Sequence, residues 1–150
     1  MVLFGLCKKC NSGDAFMKNL SEYRYSLSVL GMGSLSEDHV YFFDYDLKLG
    51  FYRGFDINAI NTETELNLPV GMFSADDISI RNRRRGDKFC VSIYDRKSLS
   101  DFFDEHKVPV NLRDTIPLLC YKGEVLWVIG YGAIKFNKHF DEYYRIVLEN

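Results

Sequence analysis

No apolar run in the chain approaches the roughly 20 residues that a membrane-spanning helix needs. The apolar start, Met1 to Leu6, is short, and Lys8 and Lys9 follow it rather than precede it. That is the wrong order for a secretory leader. The expectation is a cytoplasmic protein without a membrane partner. Charge of one sign is also lacking: the net charge is -2, so the bulk field attracts neither nucleic acid nor an acidic surface. Cysteine is sparse and poorly arranged for metal. Cys7 and Cys10 make one C-x-x-C, Cys90 and Cys120 stand alone, and His39, His106 and His139 are scattered. A zinc site wants a second cysteine pair or a histidine pair at ligand spacing. Reduced thiols and no metal are expected. A redox motif would sit between a strand and a helix, but Asn11-Ser12-Gly13-Asp14 after Cys10 reads as a turn. No G-x-x-x-x-G-K-[ST] cradle, no S-G-G-x-D-S loop and no Ser/His/Asp or Cys/His constellation occurs. The chain therefore carries no expected catalytic residue and no cofactor of its own.

What is present is apolar and aromatic, 47% and 15% of residues, enough for a packed core. Tyr23 to Leu30 alternates, which predicts a half-buried strand. Gly31-Met32-Gly33 predicts a turn, and His39 to Tyr45 a partner strand. Leu47 to Ile57 suggests another strand, Asn58 to Asn67 a loop, and Leu68 to Phe73 a short strand. Ile78 and Ile80 alternate with Ser79 and Arg81, predicting a strand that leads into Arg83 to Lys88. Leu99, Phe102, Phe103 and His106 have i, i+3, i+4, i+7 spacing, so a helix over about 97–107 is expected. Ser98 and Asp101 suit its cap, and Pro109 its end. Leu118 to Tyr121 and Val125 to Ile129 flank Lys122-Gly123 as a hairpin. Tyr143 to Leu148 predicts a closing strand. The fold class expected is α+β, a mainly antiparallel sheet with one clear helix and hairpins. Residues 1–74 read as a strand-rich connector, and residues 75–150 as the principal domain.

Positive charge is local. Thirteen Lys and Arg fall between Asp76 and Asn150, and five of them lie between Arg81 and Lys88. If the strand continues, Arg81, Arg83 and Arg85 share one face and Arg84 the other. Guanidinium forks grip phosphate oxygens in pairs, so such a ribbon suits a nucleic-acid backbone. The plain alternative is a solvated face paired with Asp76, Asp77 and Asp87. Lys97 falls at the expected helix start, where the helix dipole disfavours a cation. Arg113 follows a turn that brings it towards the arginine stretch. Trp127, in an apolar strand, is expected inside the core.

Four elements occur in order: R-x-R-R-x-G-D at 81–87, K-x-L-x-x-F-F at 97–103, K-x-P-x-x-x-R-D-x-x-P-L-L at 107–119, and W-V-x-G at 127–130. Together they resemble the C-terminal domain of tRNA(Ile)-lysidine synthetases over about Ile78 to Gly130. Ser100 and Gly132 depart from that pattern, standing where relatives often carry Lys and Arg. The resemblance implies membership of an ATP-dependent carbon–nitrogen ligase that converts the wobble cytidine of a minor tRNA(Ile) to lysidine. ATP and lysine would be substrates of a catalytic domain in the parent protein, and this chain would hold tRNA(Ile). The implied RNA contacts are Arg81, Arg83, Arg84, Arg85, Lys97 and Arg113. A non-catalytic interaction or scaffold domain of the same fold is the second reading.

Overall fold

A computed structural model describes residues 47–52, 59–74, 77–136, 138 and 140–149, together with the strand backbones of 6–7, 24–26, 39–42 and 53–54. The described residues form twelve strands and one α-helix. In chain order the strands are β1 (Leu6–Cys7), β2 (Arg24–Ser26), β3 (His39–Phe42), β4 (Lys48–Gly54), β5 (Glu65–Pro69), β6 (Ile78–Arg81), β7 (Lys88–Ser92), β8 (Asp95–Ser98), β9 (Leu118–Tyr121), β10 (Glu124–Val128), β11 (Gly132–Ala133) and β12 (Tyr143–Leu148). Helix α1 spans Leu99–Glu105, and a 3-10 turn covers Val110–Leu112. No helix among the described residues is long and apolar enough to cross a membrane.

Two sheets result. The first is antiparallel throughout, in the order β1-β3-β4-β12-β5. The second runs β2-β6-β9-β10-β7-β8, with β11 beside the end of β10, and only β10 and β7 are parallel. The α+β expectation therefore holds, with one parallel pairing inside a mainly antiparallel arrangement. Strands from before and after residue 75 share both sheets: β12 lies between β4 and β5, and β2 pairs with β6.

The layers follow from which side chains are apolar on both faces. Leu49, Phe51, Leu66, Leu68 and Ile146 of the first sheet pack with Ile80, Leu119 and Trp127 of the second. On its other face the second sheet buries Leu118, Cys120, Val125 and Val128 against Leu99, Phe102 and Phe103 of α1. Strands covered on both sides read as continuous apolar runs, as Val125 to Ile129 does. The β9–β10 register shifts between Val125 and Trp127. That bulge lets the adjacent Leu126 and Trp127 enter the same core cluster. Trp127 is fully buried as expected, and its Nε1 donates to the Glu63 carbonyl at 3.1 Å. Lys122 (φ 49°) and Gly123 (φ 85°) make the tight β9–β10 turn, whose two central residues need positive φ.

Several boundaries move. The strand near Pro69 ends there instead of starting there, because β5 pairs with β12 from Glu65 onward, inside the expected loop. The helix is shorter than 97–107. Ser98 caps it, its Oγ accepting from the Asp101 backbone N at 3.0 Å. Its end is set two residues before Pro109, by Lys107 at φ 54° and a backbone bond from Val108 N to Phe103 O. Lys97 is therefore on β8, paired with Phe89, and the helix-dipole penalty does not arise. The turn expected at Gly31-Met32-Gly33 and the Cys7–Cys10 motif lie outside the described side chains.

Candidate nucleic-acid interface

The arginine stretch does not continue as a strand. β6 stops at Arg81, and residues 82–87 turn back towards β7, with Gly86 at φ 84°. Glycine takes that left-handed geometry without a Cβ clash. The expected ribbon of Arg81, Arg83 and Arg85 on one face is therefore replaced by a loop.

Asp87 organises that loop. Arg81 Nη1 and Nη2 donate to its two carboxylate oxygens at 2.9 and 2.8 Å, and the backbone N of Arg84 donates to Oδ2 at 2.7 Å. Arg81 also donates to the carbonyls of Asn82 and Gly123. Its side chain is 4% exposed and that of Asp87 is 7% exposed. The Asp87 hydrogen bonds raise the Arg81 pKa above its ordinary value, against a smaller opposing effect of burial. Arg81 is thus a structural anchor and presents no guanidinium to a ligand.

The anchor projects the rest of the loop outward. Arg83, Arg84, Arg85 and Lys88 line a groove of about 390 Å³, closed on the other side by Ser98, Ser100 and Phe103. Arg84 and Arg85 are exposed. Arg83 Nε donates to Asp114 Oδ1 at 2.7 Å and its Cζ lies 5.8 Å from the centroid of the Phe103 ring. Arg113 Cζ lies 5.3 Å from the same ring. Two guanidinium groups on one buried aromatic ring gain cation–π attraction and lose conformational freedom. Arg113 is held further by two bonds to the Val108 carbonyl and an ion pair with Asp104 at 3.0 Å. The groove lining holds four cations and two carboxylates, and Asp87 is already paired with Arg81. Among the described lining residues Asp114 is the other carboxylate; it pairs with Arg83 and is largely exposed. Such a surplus of forked donors at one surface matches a phosphate chain.

The structure therefore gathers Arg83, Arg84 and Arg85, places Arg113 beside them on Phe103, and separates Arg81 and Lys97. Lys97 lines a different groove and pairs with Glu105 at 2.6 Å. Sequence reasoning overlooked Lys88 as a lining cation and Phe103 as the platform. The signal for Phe103 was its place beside Phe102 on the apolar face that Leu99 begins. Cys90 and Cys120 are free thiols in the core. Burial pushes Cys90 up to about 11 and Cys120 up to about 12, so neither is a thiolate at neutral pH. At pH 8, iodoacetamide is expected to leave both unmodified in the folded chain and to label both in denaturant. Peptide masses check this, and rapid native labelling would contradict the packing.

Residues 78–148 match the family model of the TilS substrate C-terminal domain. The chain is similar to tRNA(Ile)-lysidine synthases: 38% identical over 77 residues to that of Clostridium tetani, covering 49% of this chain and 16% of the relative. It is 40% identical over 73 residues to that of Dehalococcoides mccartyi, covering 48% and 15%. With that of Thermotoga maritima it shares 37% over 85 residues, covering 56% and 18%. The chain thus spans about a sixth of the length of these relatives. A crystal structure of a TILS C-terminal domain superposes with TM-score 0.61 at 21% identity, covering 86% of this chain and 98% of the other, which establishes a shared fold.

Proposed function

We propose, from the premise that residues 78–148 match the TilS substrate C-terminal domain family model, that this chain is the tRNA-holding part of a tRNA(Ile)-lysidine synthase. The parent protein, on this reading, is a cytoplasmic ligase that uses ATP and lysine to convert the wobble cytidine of a minor tRNA(Ile) to lysidine. A catalytic domain elsewhere in that protein performs the chemistry, and this chain supplies binding energy and orientation. The role of residues 75–150 is to carry the RNA-facing surface.

The observation that carries the reading is the groove that gathers Arg83, Arg84, Arg85 and Lys88 beside the Phe103 platform. RNA helices are recognised largely through shape and through phosphate and 2′-hydroxyl contacts. A groove of forked donors needs no base-edge readout to bind such a surface. Arg113 serves from behind, by fixing the ring on which Arg83 rests. Arg81 serves by holding the loop, and contacts no RNA.

A salt series tests this. Binding of the chain to a tRNA(Ile) transcript is expected to weaken linearly on a log–log plot, with a slope near the number of phosphates engaged, about three to four. Fluorescence anisotropy between low and physiological salt measures it. Affinity indifferent to salt would remove the phosphate-binding role.

A further inference from the structure

Helix α1 separates two grooves. Phe103 lines the arginine groove, and its neighbour Phe102 lines a second groove of about 380 Å³. Successive helical residues point about 100° apart, so the two rings serve different surfaces. The same division holds at the end of β8, where Lys97 lines the second groove and Ser98 the first.

The second groove is built around aromatic rings. Phe89 and Phe102 lie with centroids 4.4 Å apart and planes tilted 41°, and Phe102 and His106 stack at 3.9 Å and 19°. The column ends in His106, which is exposed. Its Nδ1 lies 3.0 Å from the Phe102 carbonyl oxygen, so the imidazole plane is held in place. Among the described residues no other ring stacks on the His106 face turned away from Phe102. Gly132 lets the β11 backbone pack close against the column. A Cβ there would meet Phe102 Cζ at 3.0 Å and His106 Nε2 at 3.6 Å. Lys97, paired with Glu105 at 2.6 Å, and Lys135 also line the groove, whose lining holds a single carboxylate, Glu63. An exposed imidazole, backed by the buried rings of Phe102 and Phe89, and ammonium groups for an anion therefore share one surface.

We propose that this second groove takes an unpaired nucleobase, which adds the next ring to the Phe89–Phe102–His106 column. Lys135 then meets one flanking phosphate, and Lys97 meets the other by exchanging its Glu105 partner for it. The inference rests on the RNA reading of the arginine groove and extends it: paired RNA lies on one side of α1, and a single-stranded nucleotide on the other. Stacking suits the role because every base has a π face, and it contributes without sequence readout.

The test uses the full chain and two RNA hairpins with the same stem, one blunt and one with a four-nucleotide single-stranded extension. The extension is expected to strengthen binding by about tenfold at fixed salt. His106→Ala is expected to abolish that gain and leave blunt-hairpin affinity within about twofold, while His106→Phe, which keeps a ring at the end of the column, retains most of the gain. An extension that adds nothing, or a gain that survives His106→Ala, overturns the inference while salt-dependent blunt binding leaves the arginine groove standing. An equal fall for both RNAs in His106→Ala assigns His106 to folding and also overturns it. If the natural chain binds the blunt hairpin without salt dependence, both readings fall together.

Discussion

Replacing Asp87 with asparagine is expected to destabilise the folded chain by about 3–5 kcal/mol, because one partner of a buried ion pair is left without its counter-charge. The side chains of Arg81 and Asp87 are 4% and 7% exposed, so water cannot take over the hydrogen bonds. Asparagine keeps the shape and one acceptor oxygen but loses the negative charge and one of the two parallel N–H···O bonds. The effect spreads because Asp87 joins several elements. Its carboxylate accepts from the Arg84 backbone, and its carbonyl accepts from Leu99 N at the start of α1. A urea titration followed by circular dichroism measures the change. A chain of this size should lose roughly 10 °C or more in Tm for that destabilisation. A loss below about 1 kcal/mol would place the pair among exposed ion pairs, which contribute little.

The combined Arg83→Ala, Arg84→Ala and Arg85→Ala chain should lose about 100-fold in RNA affinity at low salt, with the log–log salt slope falling by about two to three. None of the three is buried like Arg81, so the melting curve is expected to change little. The loss should be similar for different RNAs, because backbone contacts position a nucleic acid without reading its sequence. Unchanged affinity in a folded triple variant would move the RNA surface elsewhere. Together the two experiments separate the loop's architecture from its exposed chemistry: Asp87 governs folding, and the three arginines govern binding.

The pattern of side chains along the chain foretold the elements where one face is buried. The 3.6-residue spacing of Leu99, Phe102 and Phe103 marked a helix, and all three are buried there. The hairpin at Lys122-Gly123 was legible because two adjacent residues with positive φ suit few sequences as well as one ending in glycine. Strand ends were less legible. Alternation beyond Ile80 pointed to a strand through Arg85, yet the chain turns after Arg81. Local pattern carries no information about a bidentate pair with Asp87, six residues away. Likewise Lys97 looked helical by position but pairs with Phe89 on β8.

By itself, the order of residues determined which segments bury apolar faces, where glycine and proline interrupt them, and that positive charge gathers near Arg81 to Lys88. Those properties are local: they depend on periodicity and backbone geometry within a few residues. Only the tertiary structure decided that Arg81 is buried while Arg83, Arg84 and Arg85 face a groove, that Arg83 and Arg113 share the Phe103 ring across 30 residues of chain, and that the buried rings of Phe102 and Phe103 back different grooves. A guanidinium becomes anchor or ligand-binder through its solvent exposure and its nearest carboxylate, and both are set by contacts between segments distant in sequence.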